Sequence, residues 1–112
     1  MAANLIELLE HNVRTNPERI AVVFGSRHIT YRQLKKAVDT MAAALYDLGV
    51  RKTDNVALWL ANCPEFVISF FAILRLGAVV VPLNTMLKRE EARFILKDSR
   101  ACALICSIDK IE

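Results

Sequence analysis

The sequence is poor in glycine, and this scarcity argues against a phosphate-binding loop. Its 112 residues include only Gly25, Gly49 and Gly77. A phosphate loop needs several glycines or hydroxyl residues in one turn, so that backbone amides can approach an anion. Neither a G-x-G-x-x-G nor a Walker sequence occurs, and the G-x-S-x-G turn of serine hydrolases is missing too. Each glycine is better explained by a turn or by the end of a helix.

Cysteine is also sparse. Cys63, Cys102 and Cys106 are odd in number, and their spacing does not resemble a metal-binding motif. Cys102 and Cys106 flank an apolar run, where cysteine behaves as a small hydrophobic residue. Unpaired thiols are simplest to explain in a reducing compartment. We therefore expect a cytoplasmic protein without a zinc site.

Long apolar runs and clustered charges are absent as well. The longest apolar run lies between Glu65 and Arg75, whereas a transmembrane helix needs about 20 residues. Glu7 and Glu10 lie where a secretion signal would be basic and then apolar. The net charge of +3 comes from basic residues mixed with acidic ones, so no basic stripe indicates nucleic-acid binding. We predict neither a transmembrane segment nor a nucleic-acid partner.

The start of the chain predicts a helix followed by a β-hairpin. Asn4 and Glu7 have the spacing of a capping box, and Pro17 disfavours helix at the residue before it. The apolar, β-branched segment Ile20–Phe24 predicts a strand. Gly25 then opens a two-residue loop before a second strand at residues 27–29, as in a type II′ hairpin.

The second helix has the clearest start signal in the chain. Thr30 and Gln33 have the spacing of a capping box, and Ile29 and Leu34 occupy the two positions of a hydrophobic staple. Apolar residues then recur at helical spacing as far as residue 48. Gly49 predicts a left-handed stop.

A third helix is predicted over residues 66–76. Asn62 is a possible N-cap, with Pro64 suited to the first turn and Glu65 at the capping-box position. Apolar residues cover nearly the whole circumference of this helix, which predicts that it is buried. Gly77 ends it.

Three short apolar runs predict the strands of a parallel sheet. They do not alternate with polar residues, as expected of strands that are covered on both faces. A further amphipathic helix is predicted over residues 88–97, with Leu87, Glu91, Phe94 and Ile95 near one side. The three strands are residues 56–60, 79–81 and 103–106.

The order of these elements predicts an α/β fold. We expect three layers with a mainly parallel sheet, right-handed crossovers and an N-terminal β-hairpin, together forming a partial domain. Ligands of such sheets bind beyond the carboxyl ends of the strands, here near Asn62, Asn84 and Ser107. Helix capping explains Asn62 more simply than binding does, a turn explains Asn84, and an exposed strand explains His28.

Three ordered motifs give the chain a resemblance to a known family. Residues 29–34 (ITYRQL) resemble the "L-T-Y-x-E-L" motif of adenylate-forming enzymes, with Gln33 in place of Glu. Residues 74–84 (LRLGAVVVPLN) resemble the motif "L-K-A-G-A-x-x-V-P-L", and residues 62–66 (NCPEF) resemble the family's strand-to-helix step. The chain is therefore similar to the N-terminal segment of acyl-CoA synthetases and most like a fatty-acid–CoA ligase.

The resemblance implies an ATP-dependent reaction in the full-length enzyme. A carboxylic acid, expected to be a fatty acid, would react with ATP to give an acyl-adenylate and then a thioester of coenzyme A, with Mg²⁺ offsetting the phosphate charge. In that family the phosphate loop, adenine pocket, ribose-binding aspartate and catalytic lysine all lie later in the sequence, and none of them has a counterpart among these residues. We therefore assign no catalytic, cofactor-binding or metal-binding residue here and expect no bound cofactor.

The predicted unit is residues 1–112 as a truncated N-terminal part of the large N-terminal domain, inactive alone. The alternative is a free-standing doubly wound module that binds or interacts without catalysis. The hydrophobic fraction of 54% fits either a well-packed core or an apolar surface left for a partner. Because the last strand lacks a covering helix, we expect a homo-oligomer formed through exposed apolar surface. The acyl substrate and its chain length would depend on later residues.

Overall fold

A computed structural model describes residues 2–107, with side chains from Leu5 onward. Within this part no helix combines the length and apolar character needed to cross a bilayer. The elements alternate between helices and strands after an initial helix and hairpin. In chain order they are α1 (Ala2–Thr15), β1 (Ile20–Phe24), β2 (Arg27–Thr30), α2 (Tyr31–Asp47), β3 (Asn55–Trp59), α3 (Pro64–Arg75), β4 (Val79–Pro82), α4 (Arg89–Asp98) and β5 (Ala103–Cys106).

The sheet has three parallel strands in the order β4-β3-β5. Val56 of the central strand lies opposite Val80 on one side and Ala103 on the other. The hairpin β1-β2 forms a separate antiparallel pair. This arrangement confirms the predicted α/β fold with a parallel sheet and an N-terminal hairpin.

The central strand β3 is covered on both faces. Val56, Ala57 and Leu58 have no exposed surface, and Trp59 keeps only 5%. Val56 belongs to a core shared with α1, α2 and α3, whereas Ala57 and Trp59 belong to a second core on the α4 side. Since successive strand residues face opposite ways, the sheet separates these two cores, and the fold has three layers.

The hairpin turn follows the geometry that the sequence predicts. Gly25 has φ +59°, and Ser26 is not among the residues with positive φ, as a type II′ turn requires. The register between the strands shifts between Ile20 and Val22. Arg27 anchors the hairpin by donating to both carboxylate oxygens of Glu65, at 3.1 and 3.3 Å.

The N-terminus of α2 confirms the predicted capping box. The Gln33 amide donates to the Thr30 hydroxyl at 3.2 Å, and the Thr30 amide donates to the Gln33 side chain at 2.9 Å. Leu34 is buried, and Ile29 packs against the core that contains it. These contacts satisfy two of the amides that have no partner within the helix.

Two other predicted caps differ from the structure. Helix α1 begins at Ala2, so the backbone of Asn4 lies inside it rather than at its N-cap; the predicted side-chain contact of Asn4 lies outside the described side chains. Helix α3 has Pro64 at its first position and Cys63 as N-cap, without a side-chain capping bond. Asn62 is therefore one residue too early to cap it, and Glu65 pairs with Arg27 instead of closing a capping box.

Helix α3 is less buried than the sequence predicts. Only Pro64, Ser69, Ala72 and Ile73 are buried. The outer side chains are half-buried, and the rings of Phe66 and Phe70 stack with centroids 6.3 Å apart. Part of the apolar surface of α3 is thus left uncovered by the described residues.

Helices α2 and α3 end in the same hydrogen-bonded motif. Gly49 has φ +106°, Val50 donates to the Leu45 carbonyl, and Gly49 donates to the Tyr46 carbonyl. This pair of bonds is a Schellman motif. Gly77 and Ala78 repeat the two bonds at the end of α3, with φ +74° at Gly77. The predicted glycine stops are therefore confirmed.

Helix α4 ends in the same way, but without glycine. Ala101 donates to the Leu96 carbonyl and Arg100 to the Lys97 carbonyl, with φ +56° at Arg100. The buried face of α4 is also displaced from the prediction. Phe94 is 69% exposed, whereas Ala92 is buried and Ile95 and Leu96 pack beside it. Phe94 therefore lies outside the buried face to which Leu87 and Ile95 belong.

A network of four charged side chains ties the first three helices together. Arg75 of α3 pairs with Glu10 of α1 at 2.8 Å and with Asp39 of α2 at 3.0 Å. Lys35 donates to the other oxygen of Asp39 at 2.6 Å. These side chains are between 26% and 40% exposed, so the network is only partly screened by water.

Candidate functional site

The carboxyl ends of β3 and β4 form one side of an open cleft with a volume of about 360 Å³. This is the position at which parallel sheets bind ligands, and we refer to it as the strand-end cleft. Three of its lining side chains are polar and the others are apolar. The lining residues are Leu60, Ala61, Asn62, Phe66, Pro82, Leu83, Asn84 and Thr85.

Proline ends the strand that forms one wall of the cleft. Pro82 lies opposite Leu58 in the register of β3 and β4, and it has no amide hydrogen to donate. The next residue restores the ladder, because the Leu83 amide donates to the Leu58 carbonyl at 3.0 Å. The backbone leaves the sheet after Leu83, so Asn84 and Thr85 lie at its rim.

Asn84 fixes the turn that follows. Its side-chain oxygen accepts a hydrogen bond from the Met86 amide at 2.8 Å, which is an Asx turn. Its backbone carbonyl accepts from the Leu87 amide at 3.1 Å and from the Trp59 indole at 3.0 Å. The prediction that Asn84 is a turn residue at the end of a strand is therefore confirmed.

Asn62 reaches the same cleft from the other strand. It is exposed, lies between β3 and α3, and lines the cleft together with Phe66. The structure thus brings together the two asparagines that the sequence singles out, while Ser107 at the end of β5 does not line the cleft. His28 lies on the exposed side of the hairpin strand β2.

The donor set of the cleft does not fit ATP phosphates or Mg²⁺. Its described lining residues carry no charged side chain, whereas Mg²⁺ prefers carboxylate ligands and phosphates pair with cationic groups. Across residues 2–107 no group of three or more His, Cys, Asp or Glu side chains is placed to hold a metal ion. We therefore derive no step through either group on these residues.

The Cys102 thiol adds no reactive group to the site. Cys63, Cys102 and Cys106 are free. Although Cys102 is exposed, partial desolvation raises the pKa of its thiol, and the nearby carboxylate of Asp54 raises it further. A thiol in this environment remains protonated and is a poor nucleophile.

A larger groove, of about 690 Å³, lies on the helical side of the molecule beside Asp39, Tyr46 and Arg75. Asp39 and Arg75 are already paired with each other there. The groove is also remote from the carboxyl ends of the strands, because α1 and the C-terminal parts of α2 and α3 line it. We therefore keep the strand-end cleft as the candidate site.

Sequence reasoning missed Trp59 as part of this region. The indole comes from the last residue of β3 and reaches the loop after β4, 25 residues later in the chain. No local spacing predicts such a contact. The apolar run around Trp59 indicated only a buried strand.

Comparison with known proteins gives one consistent result. The family model described as AMP-binding enzyme matches residues 9–112. The crotonobetaine/carnitine–CoA ligase of Salmonella arizonae is 42% identical in an alignment 95 residues long, which covers 80% of this chain and 18% of that protein. The ligase of the same name from Escherichia fergusonii is 45% identical over 78 residues, 70% of this chain and 15% of that protein.

Solved structures agree with the sequence matches. The anthranilate CoA ligase AuaEII, solved with anthranoyl-AMP, superimposes on 99% of this chain with a TM-score of 0.90 and 34% identity. The O-succinylbenzoate coenzyme A synthetase MenE of Bacillus subtilis, solved with AMP, covers 90% with a TM-score of 0.85 and 35% identity. The chain spans 23% and 26% of those two proteins, and less than a fifth of the curated ligases.

Proposed function

Because the chain belongs to the AMP-binding enzyme family, we propose that residues 1–112 are the N-terminal part of the large N-terminal domain of an acyl-CoA ligase. In the proposed reaction a carboxylate oxygen attacks the α-phosphorus of ATP and releases pyrophosphate. The coenzyme A thiol then attacks the acyl carbon, loses its proton and releases AMP. The observation that carries the proposal is the superposition of 99% of this chain on a CoA ligase solved with its acyl-adenylate.

In this proposal the described residues provide scaffold rather than reacting groups. The sheet β4-β3-β5 holds the strand-end cleft open, and the motif at residues 74–84 forms the crossover between α3 and β4. Mg²⁺ and the phosphate groups of ATP and coenzyme A would be held by other parts of the enzyme. No residue of this chain is proposed as catalytic, phosphate-binding or metal-binding.

The proposed acyl substrate is a carboxylic acid. A fatty acid is the first candidate, because the sequence motifs most resemble those of fatty-acid–CoA ligases. The relatives suggest two further classes, since their names point to carnitine-like and aromatic acids. A substrate panel should therefore contain octanoate, crotonobetaine and anthranilate.

A chimera provides the direct functional test. We would replace the corresponding segment of the Escherichia fergusonii crotonobetaine/carnitine–CoA ligase with residues 9–112 and measure pyrophosphate release and acyl-CoA formation. We expect activity of the same order as that of the parent ligase, because a scaffold of the same fold should restore the sheet. The matched control carries Ala57→Asp, which places a charge at a position without exposed surface.

Two outcomes of the chimera experiment are decisive. Activity in the chimera and none in its Ala57→Asp control would support the proposal. A folded chimera without pyrophosphate release, judged by a cooperative thermal transition, would overturn it. Circular dichroism on the same samples separates loss of fold from loss of function.

Calorimetric titration of the 112-residue chain with ATP and Mg²⁺ separates the proposal from its alternative. A scaffold segment should give no saturable heat, because the strand-end cleft is lined by no charged side chain that could bind a phosphate. Tight stoichiometric binding would favour a free-standing nucleotide-binding module instead. Reading the coding sequence after Glu112 is a second test, in which a Ser/Thr/Gly-rich loop ending in Pro-Lys would favour the ligase.

We also propose a cytoplasmic location and self-association. Three free thiols support a reducing compartment. Leu8, Val23 and Phe94 are each more than half exposed, and apolar side chains at the surface favour association. Light scattering at high concentration should find a dimer or larger species, and a strict monomer would contradict self-association.

A further inference from the structure

Trp59 lies beneath the loop that forms one wall of the strand-end cleft. Its side chain does not line the cleft itself. It is 5% exposed and packs in the core that contains Ala57, Leu83 and Ala92. The indole is therefore fixed by the sheet and by α4, independently of anything bound in the cleft.

The indole reaches the loop at the Asn84 carbonyl. Trp59 Nε1 donates to this oxygen at 3.0 Å, and the Leu87 amide donates to the same oxygen at 3.1 Å. The Asn84 side chain accepts from the Met86 amide. The bonds from Met86 and Leu87 shape the turn locally, whereas the bond from Trp59 joins the turn to a different strand.

We infer that Trp59 is a positioning residue, which holds the loop of residues 84–87 at the distance from β3 that sets the width of the strand-end cleft. This inference rests on the proposed function, because it assigns the cleft a role in binding a reactant of the ligase. Removing the indole N–H should leave the local turn intact and free the loop to move relative to β3.

The lining of the cleft identifies the chemical class of its ligand. The polar lining side chains, Asn62, Asn84 and Thr85, are all uncharged, and the other lining side chains are apolar. Such a surface suits an uncharged chain that carries apolar and amide groups, rather than a phosphate. Two reactants have such a portion: the carbon skeleton of the carboxylic acid and the amide-containing arm of coenzyme A.

The opposite end of the same strand offers a matched control. Asn55 at the amino end of β3 donates from its side chain to the Ser99 carbonyl at 2.6 Å, across 44 residues. Like the Trp59 bond, it links β3 to the backbone of a distant connection. Asn55 lies away from the cleft, so its loss tests the structural cost alone.

The experiment compares Trp59→Phe with Asn55→Ala in the active chimera. Phenylalanine retains an aromatic ring in the core but cannot donate a hydrogen bond. We expect Trp59→Phe to raise the KM for the acid or for coenzyme A about five-fold, the effect of one lost hydrogen bond. The KM for ATP and kcat should change by less than about two-fold. Trp59→Phe and Asn55→Ala should lower the urea midpoint by similar amounts. Asn55→Ala should nevertheless leave all three KM values unchanged.

The three KM values separate the possible outcomes. A change for the acid alone assigns the cleft to the acyl chain, and a change for coenzyme A alone assigns it to the amide-containing arm. Equal KM values in Trp59→Phe and the parent chimera, or equal increases in both variants, would overturn the positioning role. A folded parent chimera without activity would instead overturn the proposed function, so the two failures are distinguishable.

A spectroscopic test in the 112-residue chain does not depend on catalysis. Trp59 is the only tryptophan, so its indole N–H gives a single, unambiguous resonance. We expect this proton to exchange with solvent slowly, and to exchange faster in an Asn84→Pro variant, because proline at this position disturbs the turn that presents the carbonyl. Fast exchange in the unmodified chain would show that the bond does not hold the loop.

Discussion

Arg75 Nη1 lies 2.8 Å from Glu10 Oε1, so the last turn of α3 is paired with α1 across 65 residues of chain. Arg75 Nε also lies 3.0 Å from Asp39 Oδ1. Although that oxygen is buried, its geometry is not that of a hydrogen bond, so Arg75 holds it by charge. The first three helices are thus linked through one guanidinium group.

We expect Arg75→Met to destabilise the chain by about 1 kcal/mol, measured by urea unfolding. The methionine keeps most of the apolar stem and removes the charge, which leaves Glu10 and Asp39 without this partner. Arg32→Met is the control, because Arg32 and Glu18 are each about two-thirds exposed and such pairs contribute little. Equal losses in the two variants would contradict a role for the network.

The pH dependence of stability should reveal the pair between the hairpin and α3. The pKa of Glu65 is lowered, chiefly by a hydrogen bond from the backbone amide of the same residue and then by Arg27. Because the folded protein prefers the charged carboxylate, its contribution is complete above the unfolded pKa, near 4.5. It is lost as the pH falls through the lower folded pKa.

We therefore expect Glu65→Gln to flatten the loss of stability as the pH falls below about 5, measured as urea midpoints. Because Glu65 is 55% exposed, the effect should remain below about 1 kcal/mol. Arg27→Gln should flatten the same window partly, since the larger cause of the shift remains. An unchanged slope in Glu65→Gln would show that another carboxylate controls acid unfolding.

Gly77 should tolerate a side chain less well than Gly25. Both have positive φ, which costs an L-residue about 1 kcal/mol or more. A methyl group at Gly77 would also lie 3.1 Å from Lys52 Cγ, whereas one at Gly25 would meet nothing within 4 Å. We expect Gly77→Ala to lower the free energy of unfolding more than Gly25→Ala, and Lys52→Ala to remove the difference.

A better N-cap residue should stabilise the N-terminus of α4. Glu91 accepts a hydrogen bond from the Lys88 amide at 2.9 Å, which is one half of a capping box, and the lysine side chain cannot supply the other half. We expect Lys88→Thr to raise the free energy of unfolding by about 1 kcal/mol. Lys88→Ala separates this gain from the removal of a positive charge, and an equal gain in both variants would contradict it.

Local signals predicted most of the fold correctly. The capping box of Thr30 and Gln33 and the glycine stop at Gly77 depend on residues within one turn of each other, so spacing alone identifies them. At the start of α3 the same reasoning placed the cap one residue early. Proline favours the first helical position, so Pro64 makes Cys63 the N-cap even though asparagine is the better capping residue.

The contacts that define the candidate site could not be predicted in this way. The strand ends place Asn62 and Asn84 at one edge of the sheet, and parallel topology made that predictable. The bond from Trp59 to Asn84 depends on the register of β3 against β4, which the sequence does not specify. Phe94 is a related case, because the exact rotation of α4 decides which apolar residue faces the sheet.

The sheet has two rims, one at the amino ends and one at the carboxyl ends of its strands. Because of the helix ends at Gly77 and Arg100, the two rims should differ in how well they accept inserted residues. At the amino rim the chain turns from α3 into β4, and from α4 into β5, through residues whose backbone groups are committed to Schellman bonds. An added residue there would disrupt those bonds and displace a strand that lies against β3. At the carboxyl rim the loop before α4 is longer and open to the cleft. Insertions that alter ligand preference should therefore be accepted at that rim and rejected at the other.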